Sequence, residues 1–253
     1  MKTPEQIALE KQRERLTRRF HKACADYGLL EDGDHVLIGL SGSKDSLALT
    51  ELLGRRAQIY NPRFRVTALH VRVKERDYQT DLSYLEQFCA EANVPLIVRD
   101  SEIGEAPANA KANANADPCF LCAWYRRKTL FNVAQELGCN KIAFGHHRDD
   151  VIETLLMNLI YQGTFATMPP ILQMDKMPLQ IIRPLCLISE AELIAYAEER
   201  GYQKQTQLCP FEHVSSREKV KKLLADINAL NPEAMDSMYA AMTNIKTDYL
   251  PKV

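Results

Sequence analysis

The chain lacks any apolar run long enough to span a bilayer, and its first twenty residues are crowded with charge (Lys2, Glu5, Glu10, Lys11, Arg13, Glu14, Arg15, Arg18 and Arg19), which excludes a secretory h-region. A cytoplasmic protein is expected. It has no low-complexity tract and no internal repeat, so fibrous and solenoid architectures are excluded. It also lacks an excess of either charge: the net value is −1, which gives no global sign of a polyanionic partner. Local basic clusters at 13–22, 55–56, 126–128 and 219–222 remain, and each reads first as a solvated helix face. Seven cysteines in such a compartment point to thiols, metal ligands or catalysis and not to a disulfide framework. What is present is an ordinary globular composition, 46% hydrophobic and 26% charged over 253 residues, enough for one sizeable core with a helical appendage.

The most specific local feature is Ser41-Gly42-Ser43-Lys44-Asp45-Ser46, placed between an apolar run at 36–40 and a helical pattern that starts near Asp45. A strand that ends where a helix begins directs backbone N–H groups and the positive helix end at one point. Small Ser and Gly side chains let a phosphate chain approach that backbone, and Lys44 adds a mobile cation. The Walker pattern is absent, since Lys44 follows a single glycine outside a G-x-x-x-x-G-K-[ST] frame. The competing reading of the hexapeptide alone is an ordinary βα turn.

Strand-like runs at 36–40, 66–71, 96–98, 142–145 and 181–182 alternate with helical stretches at 46–57, 80–91, 119–137 and 150–162, behind a leading helix at 5–27. Strict alternation predicts a doubly wound parallel α/β sheet with ligands beyond the carboxyl ends of the strands. Ser41, His70 and His146 would then line one crevice. Helices are also expected at 190–200, 216–228 and 232–246, and a surface loop at 104–117. The expected organisation is an N-terminal helix (1–30), a nucleotide-binding α/β domain (31–188) and a C-terminal helical region (189–253).

Asp117-Pro118-Cys119-Phe120-Leu121-Cys122 combines a helix N-cap, proline at the first helical position and two cysteines on one face. Thiolates, the state a metal requires, are favoured at a helix start. Core sulfur is the alternative, and a thioredoxin-type dithiol fits less well because the motif follows a long loop. A metal site needs a further ligand, and Cys209, in a break between helices, is the best candidate, whereas Cys24, Cys89, Cys139 and Cys186 fall on apolar patterns. Three thiolates suit an iron–sulfur cluster with one open iron. With His213 they would instead make a Cys3His structural zinc site. Gly145-His146-His147-Arg148-Asp149-Asp150 stands at a strand end and opens a helix. Its carboxylates are either capping charges or, at Asp149 or Asp150, a Mg²⁺ ligand acting on pyrophosphate with His146 near the α-phosphate.

The hexapeptide resembles the SGGxDS signature of the PP-loop ATP pyrophosphatases. Together with Cys119/Cys122, residues 145–150, Met168-Pro169-Pro170, Ile182-Arg183-Pro184-Leu185 and Leu208-Cys209, taken in order, the chain resembles the tRNA 2-thiocytidine biosynthesis family (TtcA) from about residue 10 to about residue 245. The resemblance implies an adenine nucleotide alpha-hydrolase-like fold and an ATP-dependent tRNA sulfurtransferase that adenylates and thiolates C2 of cytidine 32 in the anticodon loop. It implies a [4Fe-4S] cluster on Cys119, Cys122 and Cys209, the last in the C-terminal helical region. ATP binding would fall to Ser41, Gly42, Ser43, Lys44, Asp45, Ser46, His70, Gly145 and His146, catalysis to Lys44, Asp45 and Asp149, and Mg²⁺ to Asp149. Expected partners are tRNA and a cysteine desulfurase or other sulfide donor, with no membrane, and a homodimer is compatible. Ser43 stands where the family has a second loop glycine, and Thr206 where it commonly has a cysteine three before the third ligand. The alternatives are a PP-loop enzyme acting on another tRNA base or a small amide, or a zinc-stabilised nucleotide-binding module without catalysis.

Overall fold

A computed structural model describes residues 3–73, 80–101, 118–203 and 216–251, which form two compact units. The first unit spans residues 1–147 and 170–212 and carries the sheet. Its elements are α1 (Pro4–Asp26), β1 (His35–Gly39), α2 (Lys44–Ala57), β2 (Arg65–Val73), α3 (Leu82–Glu91), β3 (Leu96–Ser101), α4 (Pro118–Glu136) and β4 (Lys141–Ala143), followed after residue 169 by β5 (Ile171–Gln173), β6 (Gln180–Ile182) and α6 (Glu190–Glu199). The second unit, residues 148–169 and 213–253, contains α5 (Arg148–Gln162), α7 (Ser216–Leu230), α8 (Ala234–Ala241) and a 3-10 turn at Thr247–Tyr249.

The sheet order is β3-β2-β1-β4-β6-β5. All pairings are parallel except β5 with β6, so the expected doubly wound α/β sheet is present with one antiparallel edge strand. Alternation along the strands feeds two cores. Val36, Ile38 and Leu40 of the β1 segment, with Val66 and Ala68 of β2, face one side, where Phe20 of α1, Leu47 and Leu53 of α2, Leu85 of α3 and Leu193 of α6 pack. Leu37, Leu69 and Val71 face the other, against Leu130, Val133 and Ala134 of α4. Covering both faces explains why 36–38 reads as an unbroken apolar run: all three residues are fully buried.

The amino end of the sheet is locked by a buried ion pair. Lys141, at the start of β4, donates to Asp34 at 2.8 Å and to the Leu29 carbonyl at 3.1 Å, and Asn140 bridges Asp34 and the His35 amide. The carboxyl end therefore remains for function. In the second unit Ile152 of α5 packs on Val220 and Leu224 of α7. Arg217 of α7 reaches Asp150 at 3.0 Å and the buried Glu153 at 3.5 Å.

Candidate active site

The chain runs β1-β2-β3 outward in one direction and then returns to place β4 on the other side of β1, so the strand order reverses between β1 and β4. Ligands of open α/β sheets bind at such a switch point, beyond the strand carboxyl ends. The two loops at this point are 40–43 and 144–147, which carry the sequence-predicted Ser41, Gly42, Ser43, Gly145 and His146. They are in close approach: a Cβ on Gly145 would lie 3.1 Å from the Asp45 carbonyl and 3.2 Å from the Ser46 amide nitrogen. Only glycine lets the β4 loop sit this near the first turn of α2.

In the loop after β1 three hydroxyls converge. Ser41 Oγ lies 3.0 Å from Ser43 Oγ and 3.2 Å from Ser46 Oγ, and the Gly42 amide donates to Ser46 Oγ at 3.1 Å. Gly42 has φ +87°, the left-handed region that favours glycine. Ser43 has φ −69° and ψ 157° and caps α2 by accepting from the Ser46 amide. Ser43 therefore occupies extended backbone that demands no glycine, and its hydroxyl adds a helix cap. The helix starts at Lys44, just before the start expected near Asp45, because of that cap. First-turn amides at Lys44 and Asp45 have no carbonyl four residues back, which together with the helix dipole makes this a site for anions.

Lys44 Nζ is 3.1 Å from Asp45 Oδ1 and 3.3 Å from Oε1 of Glu190, the first residue of α6. His70 is buried in β2 and its Nδ1 is 2.8 Å from the Leu40 carbonyl. A carbonyl can only accept, so Nδ1 carries the proton and Nε2 the lone pair. Burial lowers the His70 pKa, the bond to Leu40 opposes that, and the nearby charges of Arg126 and Arg72 add to the lowering. A neutral His70 thus braces the end of β1. The His146 ring lies 5.5 Å from that of Phe144, centroid to centroid.

Arg183 was visible in the sequence only as part of a motif. It follows β6 directly, at the same carboxyl edge as Ser41 and His146, and is 6% exposed. Burial lowers its pKa, Cys186 opposes this, and the charge of Arg127 adds to it. Arg126 and Arg127 of α4 thus bring cations toward His70 and Arg183. The signal that selects Ser41, position immediately after a strand, selects Arg183 equally well.

Of the cysteines, Cys122 lies on α4 and is buried at 7% exposure, with Cys119 one helical turn earlier on the same element. Cys209, His213 and the expected loop at 104–117 lie outside the described residues. Burial pushes the thiols of Cys24 and Cys89 up to about 12 and that of Cys139 up to about 11, as expected of core sulfur, and Cys186 is fully buried. Asp149 and Asp150 occupy the first turn of α5, in the second unit. Asp150 is engaged by Arg217, while the Arg148 Nε is 3.9 Å from Asp149. Among the described residues no three His, Cys, Asp or Glu side chains gather into a metal-binding group, and no helix is long and apolar enough to cross a membrane.

A family profile for the PP-loop domain matches residues 12–206. A tRNA-cytidine(32) 2-sulfurtransferase of Sorangium cellulosum is 37% identical over 239 residues, covering 94% of this chain and 83% of the relative. The chain belongs to the tRNA-cytidine(32) 2-sulfurtransferase (TtcA) family of PP-loop enzymes. Its relative of the same name in Chromohalobacter salexigens is 32% identical, covering 97% of this chain and 86% of that one. Among solved structures, the U34-tRNA thiolase NcsA of Methanococcus maripaludis, described with its [4Fe-4S] cluster, superposes with a TM-score of 0.75 at 25% identity, covering 96% of this chain and 82% of that one. The matched span contains the hexapeptide, all six strands and the loop after β4.

Proposed function

We propose that this protein is an ATP-dependent tRNA sulfurtransferase that adenylates the C2 oxygen of cytidine 32 and exchanges it for sulfur. The observation that carries the reading is the three-serine loop at the switch point, held against Gly145 and followed by Lys44, in a chain with a C-x-x-C at the start of α4. The carbonyl oxygen of a pyrimidine is a poor leaving group, and AMP attached to it is a good one. Attack of that oxygen on the α-phosphate of ATP releases pyrophosphate, whose growing charge the first-turn amides of α2 and Lys44 stabilise. Ser41, Ser43 and Ser46 satisfy one another and the loop amides, and each can redirect its hydroxyl to a phosphate oxygen without leaving an amide stranded. The target base sits in a single-stranded loop, so it can be turned out without opening a duplex.

The donor set fits a cluster: two cysteines spaced by one helical turn, with Cys122 shielded from solvent, and Cys209 as the third soft ligand. Cys119, Cys122 and Cys209 would hold a [4Fe-4S] cluster, which would supply sulfide for the exchange at C2 through an iron without a protein ligand. Asp149 offers the hard oxygen that Mg²⁺ prefers. The sulfur reaches the site from a cysteine desulfurase or another sulfide donor.

Metal analysis tests the reading. Anaerobically purified protein is expected to be brown, with iron and sulfide lost in each of Cys119→Ser, Cys122→Ser and Cys209→Ser and retained in Cys89→Ala and His213→Ala. Colourless protein with stoichiometric zinc, released by His213→Ala, would overturn the sulfur chemistry while leaving the ATP site standing.

A further inference from the structure

Resting on the reading of the β1 loop as an ATP site, we propose that Glu190 is a positioning residue for Lys44. It holds the lysine ammonium on the α6 side of the loop in the nucleotide-free protein and gives it up when the triphosphate arrives. Glu190 and Lys44 are 146 positions apart in sequence, yet Oε1 and Nζ are 3.3 Å apart. The topology brings them together: β6 runs parallel to β4, so the chain leaving β6 emerges at the same carboxyl edge as the β1 loop and starts α6 there.

The start of α6 is fixed in place. Ser189 and Glu192 form a capping box, with the Ser189 amide donating to Glu192 Oε2 at 3.0 Å, and Glu192 in turn takes Arg19 of α1 at 2.5 Å and Arg15 at 3.4 Å. Glu190 therefore reaches Lys44 from an anchored helix start. Asp45, the other carboxylate on the ammonium, is the next residue of the same helix, whereas Glu190 comes from a different one.

Charge then decides which contact is surrendered. One ammonium faces two carboxylates at the mouth of a site that must accept a polyanion. A phosphate oxygen that takes Lys44 competes with the contact from α6, the longer of the two at 3.3 Å. A first-turn glutamate serving only its own helix would have no reason to reach the first-turn lysine of another. The three side chains retain between 20% and 33% exposure, so the exchange needs no unfolding and remains sensitive to salt.

The consequence is that Glu190 opposes ATP binding through Lys44. Part-exposed ion pairs of this kind alter an equilibrium by up to about fivefold, so Glu190→Gln is expected to tighten binding of a non-hydrolysable ATP analogue about threefold, with the thermal midpoint lowered no further than the loss of one first-turn charge of α6 allows. Glu190→Asp keeps the charge but is one methylene too short to hold the 3.3 Å contact, and it is expected to tighten binding as well. Binding that is unchanged or weaker in Glu190→Gln overturns the proposal. So does a gain in Glu190→Gln with wild-type affinity in Glu190→Asp, which would mean bulk repulsion and not possession of Lys44. If wild-type protein binds no ATP analogue, the ATP-site reading fails and takes the proposal with it.

Discussion

Replacing Gly145 with alanine perturbs the candidate site without removing a polar side chain. The added methyl would stand 3.1 Å from both the carbonyl carbon and oxygen of Asp45 and 3.2 Å from the Ser46 nitrogen. Those are backbone atoms of the first turn of α2, and they cannot rotate away, so loop and helix must separate by a few tenths of an ångström. Overpacking of this kind destabilises by about 1–3 kcal/mol. Its effect on function should be larger. The Ser41–Ser46 and Gly42–Ser46 contacts already stand at 3.2 and 3.1 Å, near the limit of useful hydrogen bonds, and a displacement of about 1 Å at a catalytic group can lower rates by about a hundredfold. We expect Gly145→Ala to lose roughly tenfold in kcat/KM for ATP in a pyrophosphate-release assay.

Gly39→Ala is the matched control. There the methyl also meets an atom at 3.1 Å, but that atom is Cδ1 of Leu130, the far end of a flexible side chain, with Phe144 at 3.6 Å. It should unfold in urea within about 1.5 kcal/mol of wild type and keep its ATP kinetics. Wild-type activity in Gly145→Ala, or an equal loss in Gly39→Ala, would refute the claim that contact between the two loops sets the geometry of the site.

Asp149→Asn keeps an acceptor in the first turn of α5 and removes the charge; activity should fall at least tenfold at fixed Mg²⁺, while stability changes by less than about 1 kcal/mol, the worth of a first-turn charge. Equal losses of both would leave Asp149 as a helix-capping charge only. His70 titrates below its ordinary 6.5 because of burial, so on acidification the unfolded chain takes up this proton before the folded one does. Stability from this source is whole above pH 6.5 and declines as the pH falls toward the lowered folded value. Urea titrations of His70→Asn across that window should show a shallower decline than wild type, which keeps the same share from His21 and His35, both also lowered. An unchanged slope would mean that His70 is not the neutral brace described here.

The central strand was legible because it is covered on both faces: 36–38 and Leu40 read as apolar and are buried. Strand β5 escaped because it is three residues long, follows Pro169-Pro170 and has two exposed positions out of three, so neither composition nor period marks it. The last helix is expected at 232–246 but ends at Ala241. Met235, Met238 and Tyr239 have partners in the second unit, and beyond them Thr243 and Asn244 favour turns. The β1 loop was legible because its chemistry is local, with cap, hydroxyls and cation inside six residues. The Lys44–Glu190 pair and the place of Arg183 depend on which strand lies beside β4, and no pattern within one segment records that.

The most direct measurement of the central claim is mass spectrometry of tRNA nucleosides from a strain deleted for this protein and complemented with wild type, Lys44→Ala or Cys122→Ser. 2-Thiocytidine at position 32 is expected to disappear on deletion and to return only with the wild-type protein. Undiminished 2-thiocytidine in the deleted strain, or its full return with either variant, would contradict that claim.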